Sequence, residues 1–246
     1  MVKYGRSARW YNDYNTEIEF CTKNGFDFMQ IWYREGKLLY DNMAEPKEKA
    51  ILEADFPIIL HALFTIDDYD KYAIDLLRIL KFLHHGEVII HPVCFPVSLI
   101  NCDTIRTLSE HNKKITEMYF QEGIKVYIEN NGREMPLNYT PEDLAIVFRE
   151  SPQTELLLDI AHIDNYEHLG RLINVKFPKC LHIADRHFAV GHEHLPVGKG
   201  DIDFQSVFSK YLNNFDGKII FEVVSDNDGE IVNSKNMIRD IISGDS

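Results

Sequence analysis

Short apolar runs alternate with stretches of helical spacing along almost the whole chain. The first run, over 2–5, is brief and has Arg6 and Ser7 at its end. A helical pattern over 14–24 follows and stops at Gly25, a residue suited to closing a helix. Residues 26–32 read as a second strand, and 46–54 as a short helix with Pro46 at its first position. The third run, 56–60, leads into His61, and 67–82 carries an amphipathic helical stripe. The fourth, 88–90, leads into His91 and precedes a helix over 103–121. The fifth, 124–128, leads into Glu129 and the loop Asn130-Asn131-Gly132. Thr140 and Pro141 open the next helix as cap and first residue. The sixth and seventh runs lead into Asp159 and His182. Asp203 caps a helix over 204–212, the eighth run at 218–221 leads into Glu222, and Ser234 begins a last helix to 242.

Continuous apolar strands separated by helices predict a parallel sheet covered on both faces. Eight such units in 246 residues favour a closed barrel over an open sheet, since a (β/α)8 TIM barrel needs about 250 residues. The class expected is therefore α/β, as a single (β/α)8 barrel domain over 1–246. No GxGxxG or P-loop follows a strand, and Gly198-Lys199-Gly200 is too short to be one.

Composition narrows the partners. The formal net charge of −13 makes nucleic acid an unlikely partner, because a duplex-binding surface needs clustered Lys and Arg. The four cysteines (Cys21, Cys94, Cys102, Cys180) form no CxxC pair, which favours reduced thiols over a zinc ribbon or disulfide framework. No apolar run reaches the roughly 18 residues of a membrane span, and 1–10 holds no apolar core of signal length. A cytoplasmic protein without a membrane partner is the expectation.

The polar residue after each run carries the chemistry. The set is His61, His91, Glu129, Asp159, His162, His182 and Glu222, with His192 and His194 from the loop after the seventh strand. A lone histidine after a strand is more often a hydrogen-bonded structural residue than a ligand. Structural histidines have no reason, however, to choose the same end of strand after strand. In a closed barrel those ends converge on one mouth, where imidazole and carboxylate together suit a divalent ion such as zinc, manganese or cobalt. His192 and His194 are two apart and point the same way in extended chain, while Asp159 and His162 are one turn apart and suit neighbouring ions. The other five histidines (His84, His85, His111, His168, His187) are assigned no ligand role, with His187 the ambiguous one. His84 and His85 are placed at a helix C-terminus, where the dipole favours cations. Trp32 follows a strand end and can wall a pocket.

The series HALFTID, IIHPV, YIENNG, LLLDIAH, LHIAD, HEHLPVGKGDIDF and IIFEVV resembles the xylose-isomerase-like barrel superfamily from the second strand to the end. That group holds sugar phosphate isomerases and epimerases together with the endonuclease IV family. The isomerase branch implies one divalent ion on Glu129, Asp159, His182 and Glu222. Glu129 and Glu222 would then be the catalytic pair that exchanges a proton beside a polarised carbonyl of a small sugar, sugar phosphate or polyol. His162, Arg186, Lys199 and Trp32 are the matching substrate contacts. The endonuclease IV branch implies three ions on all nine residues and water-driven phosphoester hydrolysis. His192 departs from that branch, which resembles Asp-x-His in this loop. The cofactor expected is one to three divalent ions. The first choice of activity is sugar isomerase or epimerase, then phosphoesterase, then a barrel that binds metal or sugar without turnover.

Overall fold

The computed structural model describes residues 1–244, and the last two positions of the domain expected over 1–246 lie outside them. The strands are β1 (Lys3–Ser7), β2 (Phe28–Arg34), β3 (Lys37–Leu38), β4 (Ile58–Thr65), β5 (Glu87–Val93), β6 (Lys125–Glu129), β7 (Glu155–Asp159), β8 (Cys180–Ile183) and β9 (Lys218–Phe221). The helices are α1 (Tyr14–Lys23), α2 (Lys47–Ala54), α3 (Asp68–Phe82), α4 (Cys102–Gln121), α5 (Pro141–Glu150), α6 (Tyr166–Val175), α7 (Phe204–Ser206) and α8 (Asp228–Ser243). All strands but β3 pair in parallel, and β1 joins both β9 and β2, so the sheet closes into a barrel. β3 only folds back antiparallel on β2. Among the described residues no helix is long and apolar enough to cross a membrane.

Strand period decides what fills the barrel. Phe28, Ile59, Ile89, Tyr127, Leu157, Cys180 and Ile220 form one buried cluster, separate from the larger core between sheet and helices. They come from seven successive barrel strands. On the eighth, Gly5 lies opposite Phe28 and Ile220, and a Cβ there would collide with the Phe28 ring. Side chains two residues apart on a strand share a face. The residues two further on therefore also point inward, and they are Ser7, Gln30, His61, His91, Glu129, Asp159, His182 and Glu222. An apolar plug thus lies beneath a polar ring. Going once round the barrel, the ring shifts by two residues at four interfaces, a total of eight, the shear of a TIM barrel.

Several element ends differ from expectation. β4 and β5 continue past His61 and His91 to Thr65 and Val93, because an inward polar side chain at the mouth interrupts an apolar run without ending a strand. Pro46 is the cap of α2 rather than its first helical residue. α7 is one turn, continued by a wide turn over Val207–Tyr211. α8 starts six residues before Ser234, capped by Asn227; the Ser234 hydroxyl, inside the helix, donates to the Glu230 carbonyl and accepts from Val197 N–H. Thr140 caps α5 with Pro141 in its first turn, as the sequence implies. His85 does not behave as a helix-end cation: burial lowers its pKa to about 4.

Candidate metal centre at the barrel mouth

All nine candidate ligands converge at the mouth. They fall into groups whose ligand atoms lie within 4.8 Å of one another: three that share members, His61, His91, Glu129; His61, His182, Glu222; and Glu129, Asp159, His182, Glu222; and a separate one, His162, His192, His194. His61, His91, Glu129, Asp159 and His182 are on strands, and Glu222 follows β9 directly. Asp159 ends β7, and a 3-10 turn over Ile160–His162 carries His162 into the neighbouring group, as their one-turn separation implies. His192 and His194 arrive on the loop after β8, with ring centroids 4.8 Å apart and 5.6 and 5.5 Å from His162.

The arrangement fits a cation. Both nitrogens of His61, Nδ1 of His91, Oε2 of Glu129, Oδ2 of Asp159 and Nε2 of His194 are buried without a hydrogen-bond partner among the described residues. His61 Nε2 is only 2.8 Å from Glu129 Oε2, yet the two do not align as donor and acceptor. Such groups are costly unless something else satisfies them, and lone pairs converging on one point suit a metal. The far nitrogens are held in matching fashion. His162 Nδ1 donates to the Asn130 carbonyl at 2.9 Å and His194 Nδ1 to the Glu222 carbonyl at 3.0 Å, leaving each Nε2 a lone pair. His91 Nε2 lies 2.6 Å from Asn131 Oδ1, whose amide is fixed because its Nδ2 donates to the Pro92 and Leu137 carbonyls. His91 is thereby left with a free Nδ1 facing Glu129 Oε2 at 3.2 Å.

Electrostatics separates the members. Burial opposes ionisation of Glu129, but His91, His182 and His61 outweigh it and hold the carboxyl well below its usual range. Glu222 is likewise lowered against burial, chiefly by His182. Burial disfavours the imidazolium of His182, yet Glu222 and Glu129 raise its pKa well above the ordinary value. His91 is pushed down to about 4, first by burial and then by His61 and His162, against the pull of Glu129. His192 is lowered by burial and by His194 and His162.

The proposed substrate contacts are placed unequally. The Trp32 ring sits 4.3 Å from the His61 ring and walls the mouth. Arg186 is fully buried, and its guanidinium donates to the carbonyls of Ala161, Phe188 and Val190, so it ties the loop carrying His162 to the loop carrying His192. Lys199 is exposed, and among the described residues its side chain makes no hydrogen bond or ion pair with the nine. The amides of Gly198 and Gly200 are taken by Asp185 Oδ2, while Asp185 Oδ1 accepts from Arg186 and Ile202. The other five histidines stay out of the groups. His187, the ambiguous one, pairs with Glu193 at 3.0 Å, and His168 accepts from Asp164 N–H and donates to the Tyr139 carbonyl. Gln30 and Asn131 escape a search for ligand-type side chains, and Asp185 is a carboxylate whose role lies in holding backbone N–H groups of its own loop. Gln30 had a signal, because it lies two residues after Phe28 in the strand and so belongs to the polar ring.

A model of the xylose isomerase-like TIM barrel family matches residues 18–241. The chain belongs to that family. No curated protein matches it by sequence. Solved structures match over nearly the full length. A D-tagatose 3-epimerase-like protein aligns with 22% identity and a TM-score of 0.80, covering 98% of this chain and 97% of the other. An L-ribulose 3-epimerase gives 16% identity and a TM-score of 0.80, with 99% and 95% covered. A probable 3-DHS dehydratase involved in petrobactin synthesis, from Bacillus anthracis, gives 14% and 0.72, with 96% and 98% covered. At such identities these likenesses speak to the fold, and the family member's own side chains must carry its chemistry.

Proposed function

We propose that this family member is a divalent-metal-dependent isomerase or epimerase of a small sugar. The observation that carries this reading is the buried group of Glu129, Asp159, His182 and Glu222, in which His182 Nδ1 lies 3.2 Å from Glu129 Oε1 and 3.2 Å from Glu222 Oε2. Two ionised glutamates flank one ligand set, which suits removal of a proton at one carboxylate and its return from the other. Glu129, Asp159, His182 and Glu222 would hold a divalent ion, which would supply Lewis acidity to a carbonyl and its neighbouring hydroxyl. In this reading Glu129 and Glu222 are the acid–base pair, Trp32 walls the sugar, and His162 is the candidate to meet a substrate oxygen. Arg186 acts as a tie between loops, and Lys199 has no role in this reading. The 3-epimerase descriptions of several similar structures support the reaction class.

A free sugar or polyol suits the mouth better than a sugar phosphate. The glycine amides and the buried guanidinium that would grip a phosphate are already occupied by Asp185 and by backbone carbonyls. The second reading, a multinuclear phosphoesterase, draws on the outer His162, His192, His194 group, which adds ligands that isomerisation does not require. A barrel that binds metal or sugar without turnover is third, since it gives the two flanking glutamates no task. The test is incubation of the Mn²⁺- or Co²⁺-loaded protein with ketoses in D₂O. Deuterium at the carbon beside the carbonyl, with a new epimer or aldose, is expected. Cleavage of a phosphodiester with no exchange into any ketose overturns the proposal in favour of the second reading.

A further inference from the structure

Gln30 carries no charge and is a poor metal ligand, yet it stands in the polar ring, fully buried, on β2. Its amide touches two of the four residues of the inner group. Oε1 lies 2.8 Å from His182 Nε2, and Nε2 lies 3.1 Å from Glu222 Oε1, with Ser7 Oγ at 3.4 Å. The amide has one tenable orientation. Flipped, it would set its oxygen against the Glu222 carboxylate oxygen, with no proton between them. In the observed orientation Oε1 can only accept, so His182 Nε2 must carry the proton. That leaves Nδ1 as the ligand atom, facing Glu129 Oε1 and Glu222 Oε2 at 3.2 Å and Asp159 Oδ2 at 3.7 Å. The same amide restrains Glu222 Oε1, so that Oε2 is the oxygen presented to His182.

We propose that Gln30 is a positioning residue of the metal centre, whose single amide selects the ligand nitrogen of His182 and the ligand oxygen of Glu222. Its strand contributes no ligand, and the residue works through two partners that reach it from β8 and from the end of β9. The inference rests on the metal-dependent reading above. It does not depend on which sugar is turned over.

The test uses the full chain and three readouts other than turnover. In zinc-loaded wild-type protein, ¹⁵N–¹H correlation of the histidine rings is expected to show His182 protonated on Nε2 with zinc on Nδ1. In Gln30→Leu, with folding verified by circular dichroism, Mn²⁺ affinity measured by calorimetry is expected to fall about 10- to 100-fold. The Co²⁺ absorption bands of the variant should shift, which a merely structural packing change would not cause. His182 protonated on Nδ1 in the zinc-loaded wild type overturns the proposal, and this arm decides even if the leucine variant does not fold. So does a folded Gln30→Leu with wild-type Mn²⁺ affinity and Co²⁺ bands. Wild-type protein that takes up neither Mn²⁺ nor Zn²⁺ overturns the metal reading itself, and this inference with it.

Discussion

The inner and outer halves of the mouth hold similar side chains by different means. Glu129, Asp159, His182 and Glu222 sit at or beside strand ends, buried, and three of the four are carboxylates. Their inward aim follows from strand period, two residues above an apolar plug. His162, His192 and His194 are all imidazoles on loops, with His192 exposed. Nothing periodic aims them. They are held by Arg186, which spans the two loops, and by Asp185, whose carboxylate accepts four backbone N–H groups of its own loop. Gly200 permits this hold, because a Cβ there would collide with the Arg186 carbonyl and with Asp185. A ligand on a barrel strand is as rigid as the barrel, whereas a ligand on a loop is as rigid as the hydrogen bonds that hold the loop. The inner half also has the negative charge to hold a hard divalent ion, and the outer half offers only neutral nitrogen, which suits zinc-like ions.

The comparison can be broken most directly at Glu129, which belongs to two of the groups. Glu129→Gln is expected to lower deuterium exchange into substrate by about 10²- to 10⁴-fold, with bound metal measured alongside. Retained exchange would remove the inner half from the chemistry. Asp185→Ala strips four N–H groups of their acceptor and should cost about 3 kcal/mol in thermal or denaturant unfolding. It should disorder the outer triad while Mn²⁺ uptake by the inner group survives. Equal loss at both would show that the two halves are not independently held. His192→Ala should change exchange less than about threefold, in line with an exposed surface-loop residue, while removing any zinc bound at the outer triad. A fall as deep as that of Glu129→Gln would tie the outer triad to the exchange chemistry and end the division of labour between the two halves.

The smallest effect is protonic. The His182 pKa is raised by Glu222 and Glu129 against the pull of burial, so near neutral pH a metal entering the inner group must displace its proton. His192 is lowered by burial and its histidine neighbours and holds no such proton at that pH. Calorimetry in buffers of different ionisation enthalpy should therefore show roughly one proton released as the inner group takes up metal. Inner affinity should weaken as pH falls, because His182 is then protonated more firmly. Metal uptake at the inner group with no proton released would contradict it.

Much of this molecule was legible along the chain. Runs of apolar residues marked the strands because burial on both faces leaves no room for polar alternation. The ligand residues stood out because imidazole and carboxylate recur just after those runs. The ends of β4 and β5 were misplaced for the same reason: His61 and His91 look like terminators when read locally, and are inward side chains when the barrel is closed. Arg186 reads along the chain as a substrate contact, and its sequence neighbours say nothing of Ala161, 25 residues away, whose carbonyl it holds.

By itself, then, the sequence determined the period, the α/β alternation, the donor types and their order, all of which are written in neighbouring residues. Which imidazole nitrogens are free, which carboxylate oxygens are held, and which partners Gln30 touches came only with the closed barrel. Gln30 meets His182 and Glu222 across 152 and 192 residues of chain, and the stagger of eight closed strands brings them together. A hydrogen bond across that separation depends on strand order and shear, and no local pattern of hydrophobic and polar residues encodes either.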